Sequence, residues 1–257
     1  MRTLFLVVCL VLAGCGAHPK KTAPPRKPVT GVAPIGTERG TTPSFPAGSP
    51  KDLILAIANS EWLYFGKQKV VFEEDEESIP HVGSWEDDDG AHIDRVNVYW
   101  RAVSMPGLSG IDCRQPWSAA FISWVMRVAG VPQEAFPPAK AHWVYLSRLI
   151  SRSHDDPDTA FLPRTIREYK PQPGDLICAS RDFILPPDSN ELPQPELLEN
   201  TRLHCDIVVQ SAGRTLAAIG GNVRNSVSKS ILRLTPEGYL RPTQHRPWFL
   251  IVQNRLE

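Results

Sequence analysis

The chain changes its hydrophobic pattern after residue 152, from helical periodicity to short β-rich runs. Over residues 51–66 apolar side chains recur every three to four positions, which predicts a helix that Gly66 ends. The same periodicity predicts further helices over residues 93–103, 116–129 and 140–152. The β-rich runs, which predict strands, lie at residues 175–179, 205–210, 215–219, 231–234 and 248–252.

Helices followed by strands predict an α+β domain, in which N-terminal helices pack on a small antiparallel β-sheet. No internal repeat interrupts this order. The acidic stretch from residue 73 to 89 holds nine carboxylates and no Lys or Arg. A calcium loop needs alternating oxygen ligands and a glycine at a fixed position. Asp87-Asp88-Asp89-Gly90 does not meet that pattern, so a solvated loop is expected here.

The first residues have the features of an export signal. Arg2 precedes an apolar run from Leu4 to Leu12, which is too short for a membrane span of about 20 residues. The run ends in Leu12-Ala13-Gly14-Cys15, which resembles a bacterial lipobox and implies cleavage before Cys15 and acylation of that residue. Gly16 resembles the outer-membrane sorting pattern of Gram-negative bacteria. An ordinary signal peptide with a chance cysteine remains the alternative.

Residues 16–50 are expected to form a disordered tether. They hold eight prolines and no apolar periodicity, and their five basic residues are too dispersed for a membrane-binding patch. Residues 51–257 suit one domain with a sizeable core. The predicted location is therefore the bacterial cell envelope, with a lipid anchor and, in a Gram-negative source, the periplasmic face of the outer membrane.

Charge and cysteine content limit the partners and the redox chemistry. The chain has 28 basic and 28 acidic residues, so nucleic acid is not an expected partner. Three cysteines lie outside the signal and lipid site, which allows at most one disulfide and one free thiol. Cys178 and Cys205 lie in predicted strands beside the site and are candidates for one bridge, which the sequence leaves open. The alternative is that Cys113 and these two are all small buried apolar residues.

Three residues have the types needed for acyl transfer, which requires a nucleophile, a base and a group that orients the base. Ser118 lies at the start of a predicted helix, where the dipole and unpaired N–H groups favour negative charge. His204 opens one predicted strand and Asn222 ends the next. Each also has a structural interpretation: Ser118 as a helix cap, His204 as a buried strand histidine and Asn222 as a turn residue.

Other residues are weaker candidates for the same chemistry. Asp206 is two positions from His204 on one strand face and is the second choice for orienting it. Cys113, five residues before Ser118, could be a displaced nucleophile, although no base lies beside it in sequence. His142 is expected to pack within its helix or to cap it. No His, Cys or Asp grouping has zinc spacing, and no cofactor is implied.

Four motifs together resemble a known superfamily. They are the helix ending in Ala129-Gly130-Val131, the strand start Pro173-Gly174-Asp175-Leu176, the strand from His204 to Val208, and Gly220-Gly221-Asn222. In this order they resemble the CHAP-type and NlpC-type enzymes, papain-like cysteine amidases and peptidases that cut peptidoglycan peptides or amide bonds. The resemblance covers about residues 110–225.

A closer resemblance is to a bacterial lipoprotein family within that superfamily that is catalogued only as a domain of unknown function. The stretch Trp117-Ser118-Ala119-Ala120-Phe121 and the stretch His204-Cys205-Asp206-Ile207-Val208 are characteristic of it.

The resemblance implies site residues and one departure from the superfamily. Ser118 falls at the nucleophilic cysteine, His204 at the base and Asn222 at the orienting residue, and Trp117 and Asp206 are assigned to substrate binding. A thiol titrates near pH 8.5, so a helix dipole can make thiolate abundant near neutrality. A serine hydroxyl titrates far higher, and Ser118 would have to pass its proton to a base during attack.

Two functions remain open from the sequence. One is a serine-dependent hydrolase of amide or ester bonds in the envelope, acting on peptidoglycan or an envelope peptide. The other is a module without catalytic activity that binds cell-wall peptides or a protein partner. The segment over residues 182–203 exceeds an ordinary hairpin loop, and both a lid over the site and plain decoration are compatible with its composition.

Overall fold

A computed structural model describes residues 48–73, 76–112, 115–182, 191–244 and 246–257. These residues belong to one compact unit, Ser44–Glu257. The predicted signal, the lipidation site Cys15, nearly all of the predicted tether, Cys113 and part of the segment over 182–203 lie outside the described residues. Among the described residues, none of the helices has the length and apolar character that crossing a membrane requires.

The α+β class predicted from the sequence is confirmed. Four α-helices lie close to the predicted positions: α1 (Pro50–Tyr64), α2 (Gly90–Ala102), α3 (Ser118–Val128) and α4 (His142–Asp155). A short 3-10 helix (Pro195–Leu198) lies in the long segment over residues 182–203. Helix α1 begins with a capping box between Ser49 and Asp52, so its first residue, Pro50, is the last residue of the predicted tether.

Eight strands form one sheet in the order β2-β1-β7-β6-β5-β4-β8-β3. Their bounds are β1 (Lys69–Glu73), β2 (Glu76–His81), β3 (Phe161–Thr165), β4 (Leu176–Ser180), β5 (Leu203–Ala212), β6 (Thr215–Val223), β7 (Ser226–Arg233) and β8 (Trp248–Asn254). Strands β1 and β7 run parallel, and the other neighbours run antiparallel. The expectation of a small, wholly antiparallel sheet is therefore wrong, because the sheet is large and mixed.

The acidic stretch is not a loop throughout, because β2 occupies part of it. This exposed edge strand pairs with β1. Two arginines, one on β7 and one just before it, form ion pairs with carboxylates of β1 and β2. Arg224 binds both carboxylate oxygens of Glu77, at 2.5 and 2.7 Å, and Arg233 binds Glu73 at 3.0 Å. These long-range ion pairs explain how so acidic a segment can form a strand, although the sequence alone gives no sign of it.

Both faces of the sheet bury apolar side chains. On one face the helices complete the main core, in which Phe121 of α3 and Leu149 of α4 pack with Ile207 and Ile219 of the central strands. On the other face a second apolar cluster includes Phe72, Ile177, Leu232 and Trp248. Helix α3 packs on β5 and β6, and this contact positions the first residue of α3 beside the start of β5.

The structure decides between the two interpretations of the cysteines in favour of a bridge. Cys178 and Cys205 lie directly opposite each other on β4 and β5 and form a disulfide. Both are fully buried in the main core. The bridge fastens β4 to β5 one residue away from His204.

Candidate functional site

Ser118 is the first residue of α3, and its hydroxyl does not cap the helix. The N-cap is Trp117, without a side-chain capping bond, and the first hydrogen bond within the helix runs from Phe121 N to Trp117 O. The N–H groups of Ser118, Ala119 and Ala120 therefore precede the intrahelical ladder. Such groups favour negative charge that develops close to them.

The hydroxyl of Ser118 is hydrogen-bonded to His142, the first residue of α4. Ser118 Oγ lies 2.5 Å from His142 Nε2, and His142 Nδ1 is hydrogen-bonded to the hydroxyl of Tyr145. Because Tyr145 is three residues further along the helix, the two side chains share one helix face. Ser118 and His142 are each only 4 % exposed, and Tyr145 is fully buried.

Burial keeps this chain of three groups uncharged near neutral pH. It lowers the pKa of His142 well below its usual value, and electrostatic interactions with the ring of His204 and with the Arg181 guanidinium lower it further. Burial raises the pKa of Tyr145 well above its usual value, and Asp206 adds to this effect. A neutral imidazole with its proton on Nδ1 donates to Tyr145 and accepts from the hydroxyl of Ser118. That is the state in which His142 can act as a base.

A second histidine is paired with a carboxylate on β5. His204 Nε2 lies 2.7 Å from Asp206 Oδ1, and Ser230 Oγ donates to Asp206 Oδ2 at 3.3 Å. Burial raises the pKa of Asp206, but His204, Arg246 and Ser230 outweigh it, so the pKa lies below its usual value. Burial lowers the pKa of His204, and Asp206 opposes this. Neutral His204 therefore donates Nε2–H to ionised Asp206.

Two consecutive positions of β6 have no room for a side chain, which explains why both are glycine. A Cβ at Gly220 would lie 1.7 Å from Asp206 Oδ1 and 3.2 Å from His204 Nε2. A Cβ at Gly221 would lie 2.5 Å from the Cβ of Phe121 and 2.7 Å from the ring of Trp117. Gly220 therefore makes room for the His204–Asp206 pair, and Gly221 lets α3 approach the sheet.

A cavity of about 310 Å³ connects these groups. Ser118, His142, His204 and Asn222 all contribute to its lining. The rings of the two histidines are 5.6 Å apart, centroid to centroid, at an angle of 65°. Asn222 has a left-handed backbone conformation with φ of 55° and lies near the end of β6, where the register with β7 shifts between Gly220 and Val223. The three residues predicted to be catalytic thus surround one space.

The hydrogen bonds within this space differ from those expected. Ser118 pairs with His142, which the sequence interpretation assigned to packing or capping, and His204 pairs with Asp206. Both ring nitrogens of His142 are occupied, by Ser118 and Tyr145, so Asn222 does not orient that ring. Sequence reasoning missed Tyr145 altogether. Its one sequence signal is the three-residue spacing from His142 at a helix start.

Trp117 and Asp206, the residues assigned to substrate binding, do not line the cavity. The Trp117 ring is 1 % exposed, and its indole N–H donates to the buried carboxylate of Glu86. Burial raises the pKa of Glu86 to about 7. Asp206 is fully buried beneath His204. Both residues contact the site through a neighbour, Trp117 through Ser118 and Asp206 through His204.

Within the described ranges, no group of three or more His, Cys, Asp or Glu side chains could hold a metal ion.

The family to which the chain belongs is described as an uncharacterized protein conserved in bacteria, DUF2272, whose model matches residues 74–253. The matched stretch includes Ser118, His142, Tyr145, His204 and Asp206. No curated protein and no solved structure matches the chain.

Proposed function

We propose that the chain is a serine-dependent hydrolase of amide or ester bonds in the bacterial envelope, with Ser118 as nucleophile and His142 as base. The observation that carries this proposal is the 2.5 Å approach of Ser118 Oγ to His142 Nε2 at the start of a helix that lines a cavity. A serine that only packed or capped a helix would not need a neutral histidine on its hydroxyl.

The proposed reaction has two halves. Ser118 Oγ attacks the substrate carbonyl carbon while His142 Nε2 takes the hydroxyl proton, and the N–H groups at the start of α3 stabilise the oxyanion. The bond to the leaving amine or alcohol then breaks, and His142 returns the proton to that leaving group. Water, deprotonated by His142, next attacks the acyl-Ser118 ester, which releases the acid and restores the hydroxyl.

Tyr145 takes the orienting role in this proposal. Its hydroxyl holds the proton-bearing Nδ1 of His142, which leaves Nε2 as the acceptor for Ser118. A neutral phenol stabilises the imidazolium of the intermediate less than a carboxylate would. His204, the base predicted from the sequence, lines the same cavity with its Asp206 partner and is the second candidate for the base.

The CHAP-type and NlpC-type arrangement is part of the proposal. Its support is the order of elements, in which α3 begins with the nucleophile and packs on β5 and β6, the strands of His204 and Asn222. Acylation at Cys15 and a peptidoglycan peptide as substrate belong to the proposal as well. A Cys15→Ser substitution should move the protein from the membrane fraction to the soluble fraction, and its retention in membranes would contradict lipid anchoring.

The function is tested with the chain from Gly16 onward, incubated with muropeptides and with simple activated esters. Product release should fall to background in Ser118→Ala, and Ser118→Cys should retain activity on the esters because a thiol is the stronger nucleophile. Equal release by the native chain and Ser118→Ala would contradict the hydrolase. Binding of peptidoglycan fragments that survives Ser118→Ala, with no hydrolysis by either protein, would instead identify a binding module.

A further inference from the structure

The lining of the cavity at Ser118 carries a local excess of positive charge. Lys140, Arg181 and Arg202 line it, and no carboxylate is among the described lining residues. Asp206 is fully buried and is paired with His204, so it does not balance this charge at the opening. Because the whole chain has equal numbers of acidic and basic residues, this excess is a property of the cavity.

Two of the three cations are available to a ligand. Arg202 is held by Asp182, with Nε 2.6 Å from Oδ1 and its backbone N–H on Oδ2 at 2.5 Å. Lys140 and Arg181 are exposed, and neither forms an ion pair with a carboxylate of the described residues. Lys140 precedes α4 and Arg181 follows β4, so two different elements supply these charges.

The charge of Arg181 acts on the reacting groups. Its guanidinium contributes to lowering the pKa of both His142 and His204. The helices α3 and α4 also begin at the cavity, and neither has a capping side chain or an acidic residue in its first turn. Two positive helix ends and two cations that pair with no carboxylate of the described residues therefore favour an anion as the ligand here.

We infer that the cavity selects substrates with a free carboxylate close to the scissile bond, and that Lys140 and Arg181 bind this carboxylate. The inference rests on the proposed hydrolase function for its catalytic form. The carboxylate can come from an acidic side chain or from the C-terminus of a peptide, and both present the same planar anion to an arginine fork.

The first test compares two p-nitrophenyl esters of similar size, the hemiester of glutaric acid and the neutral ester of pentanoic acid. The native chain should cleave the carboxylate ester with a kcat/KM about tenfold higher, as expected for two partly exposed ion pairs. The Lys140→Gln/Arg181→Gln variant should lose this preference, measured as the ratio of the two kcat/KM values, because any effect of Arg181 on His142 changes both esters alike and cancels in that ratio. The control Arg101→Gln/Arg214→Gln removes two exposed cations outside the cavity and should keep the preference.

The outcomes separate this inference from the proposed function. Ser118-dependent cleavage of both esters without a preference would overturn the inference and leave the hydrolase intact. If neither ester is cleaved in a Ser118-dependent way, the hydrolase fails, and the inference is decided by binding. Glutarate should then bind Ser118→Ala and lose at least about tenfold affinity with the two cations removed; equal affinity, or no binding by either protein, would overturn it.

Two competitors identify the source of the carboxylate. N-acetylalanine offers only a C-terminal carboxylate, and N-acetylglutamic acid α-amide offers only a side-chain carboxylate. Stronger inhibition by one of them supports the inference and names that source. Carboxylate binding by these residues is contradicted if neither competitor inhibits cleavage of the hemiester. It is also contradicted if both inhibit the Lys140→Gln/Arg181→Gln variant as strongly as they inhibit the native chain.

Discussion

Ser118 and His142 meet 2.5 Å apart although 24 positions separate them, and each is the first residue of a helix. The contact therefore joins the N-termini of α3 and α4. Two positive helix ends disfavour a protonated imidazole and favour a negative oxygen. Burial of His142 also disfavours its protonated form, because it lowers the pKa of the ring. The arrangement gives a neutral base beside a hydroxyl before any substrate binds.

Exchange of each histidine for glutamine should identify the base. We expect His142→Gln to lower kcat/KM about 100-fold or more, because general-base catalysis contributes at least that much. His204→Gln should cost about tenfold, since His204 does not bind the Ser118 hydroxyl in the structure. Steady-state kinetics on an activated ester, with circular dichroism of each variant, measures this. The reverse order would make His204 the base, as the resemblance implied.

The pH profile should show the lowered pKa of His142. Only the neutral imidazole accepts a proton, and burial lowers its pKa well below 6.5. The kcat/KM should therefore stay level as the pH falls through 6.5 and decline only at lower pH.

Tyr145→Phe should move the acidic limb of this profile, which is the decline of kcat/KM at low pH. It removes the oxygen that accepts Nδ1–H and so destabilises the imidazolium, which shifts the limb to still lower pH and lowers kcat/KM about tenfold. Tyr64→Phe removes a hydroxyl that is bonded to Ala91 outside the cavity, so it should leave the pH of the acidic limb and the kcat/KM unchanged. A limb at the same pH in Tyr145→Phe would show that Tyr145 has only a structural role.

Gly220→Ala should disrupt the His204–Asp206 pair. The added Cβ would overlap Asp206 Oδ1, and overpacking of this kind costs about 1–3 kcal/mol. Urea unfolding should show that loss together with reduced activity. Gly107→Ala adds the same atom in open space and should change stability by less than about 0.5 kcal/mol. Equal stability of the two variants would contradict the close approach of β6 to Asp206 at Gly220.

Glu86 should make the domain less stable as the pH rises. Its folded-state pKa of about 7 lies above the ordinary 4.5, so its contribution is fully present below 4.5 and is lost as the pH rises through 7. Glu86→Gln stays neutral, so its unfolding free energy should fall less between pH 5 and pH 8 than that of the native chain. Glu134→Gln, at an exposed position, should behave like the native chain. Parallel curves for Glu86→Gln and the native chain would contradict the buried ionisation.

The local patterns in the sequence were sufficient for α3, β5 and β6, and so for the placement of Ser118, His204 and Asn222 around one cavity. Strand β2 was not predictable, because its residue Glu77 is held by Arg224, which lies 147 positions further along the chain. The role of His142 depends on the meeting of the first residues of α3 and α4 across an irregular connection, which periodicity does not encode. Strand alternation places His204 and Asp206 on one face and so predicts that they can pair, but it does not show that this pairing displaces Asn222 from the orienting role.

The most direct test of the central claim is labelling with a fluorophosphonate, which transfers its phosphonyl group to an activated serine oxygen and releases fluoride. Intact mass and peptide mapping should place one adduct on Ser118 of the native chain. Ser118→Ala and the heat-denatured chain should remain unlabelled, and His142→Gln should react at least about 100-fold more slowly. Labelling of Ser118→Ala at the native rate, or no labelling of the native chain, would contradict a nucleophilic Ser118 activated by His142.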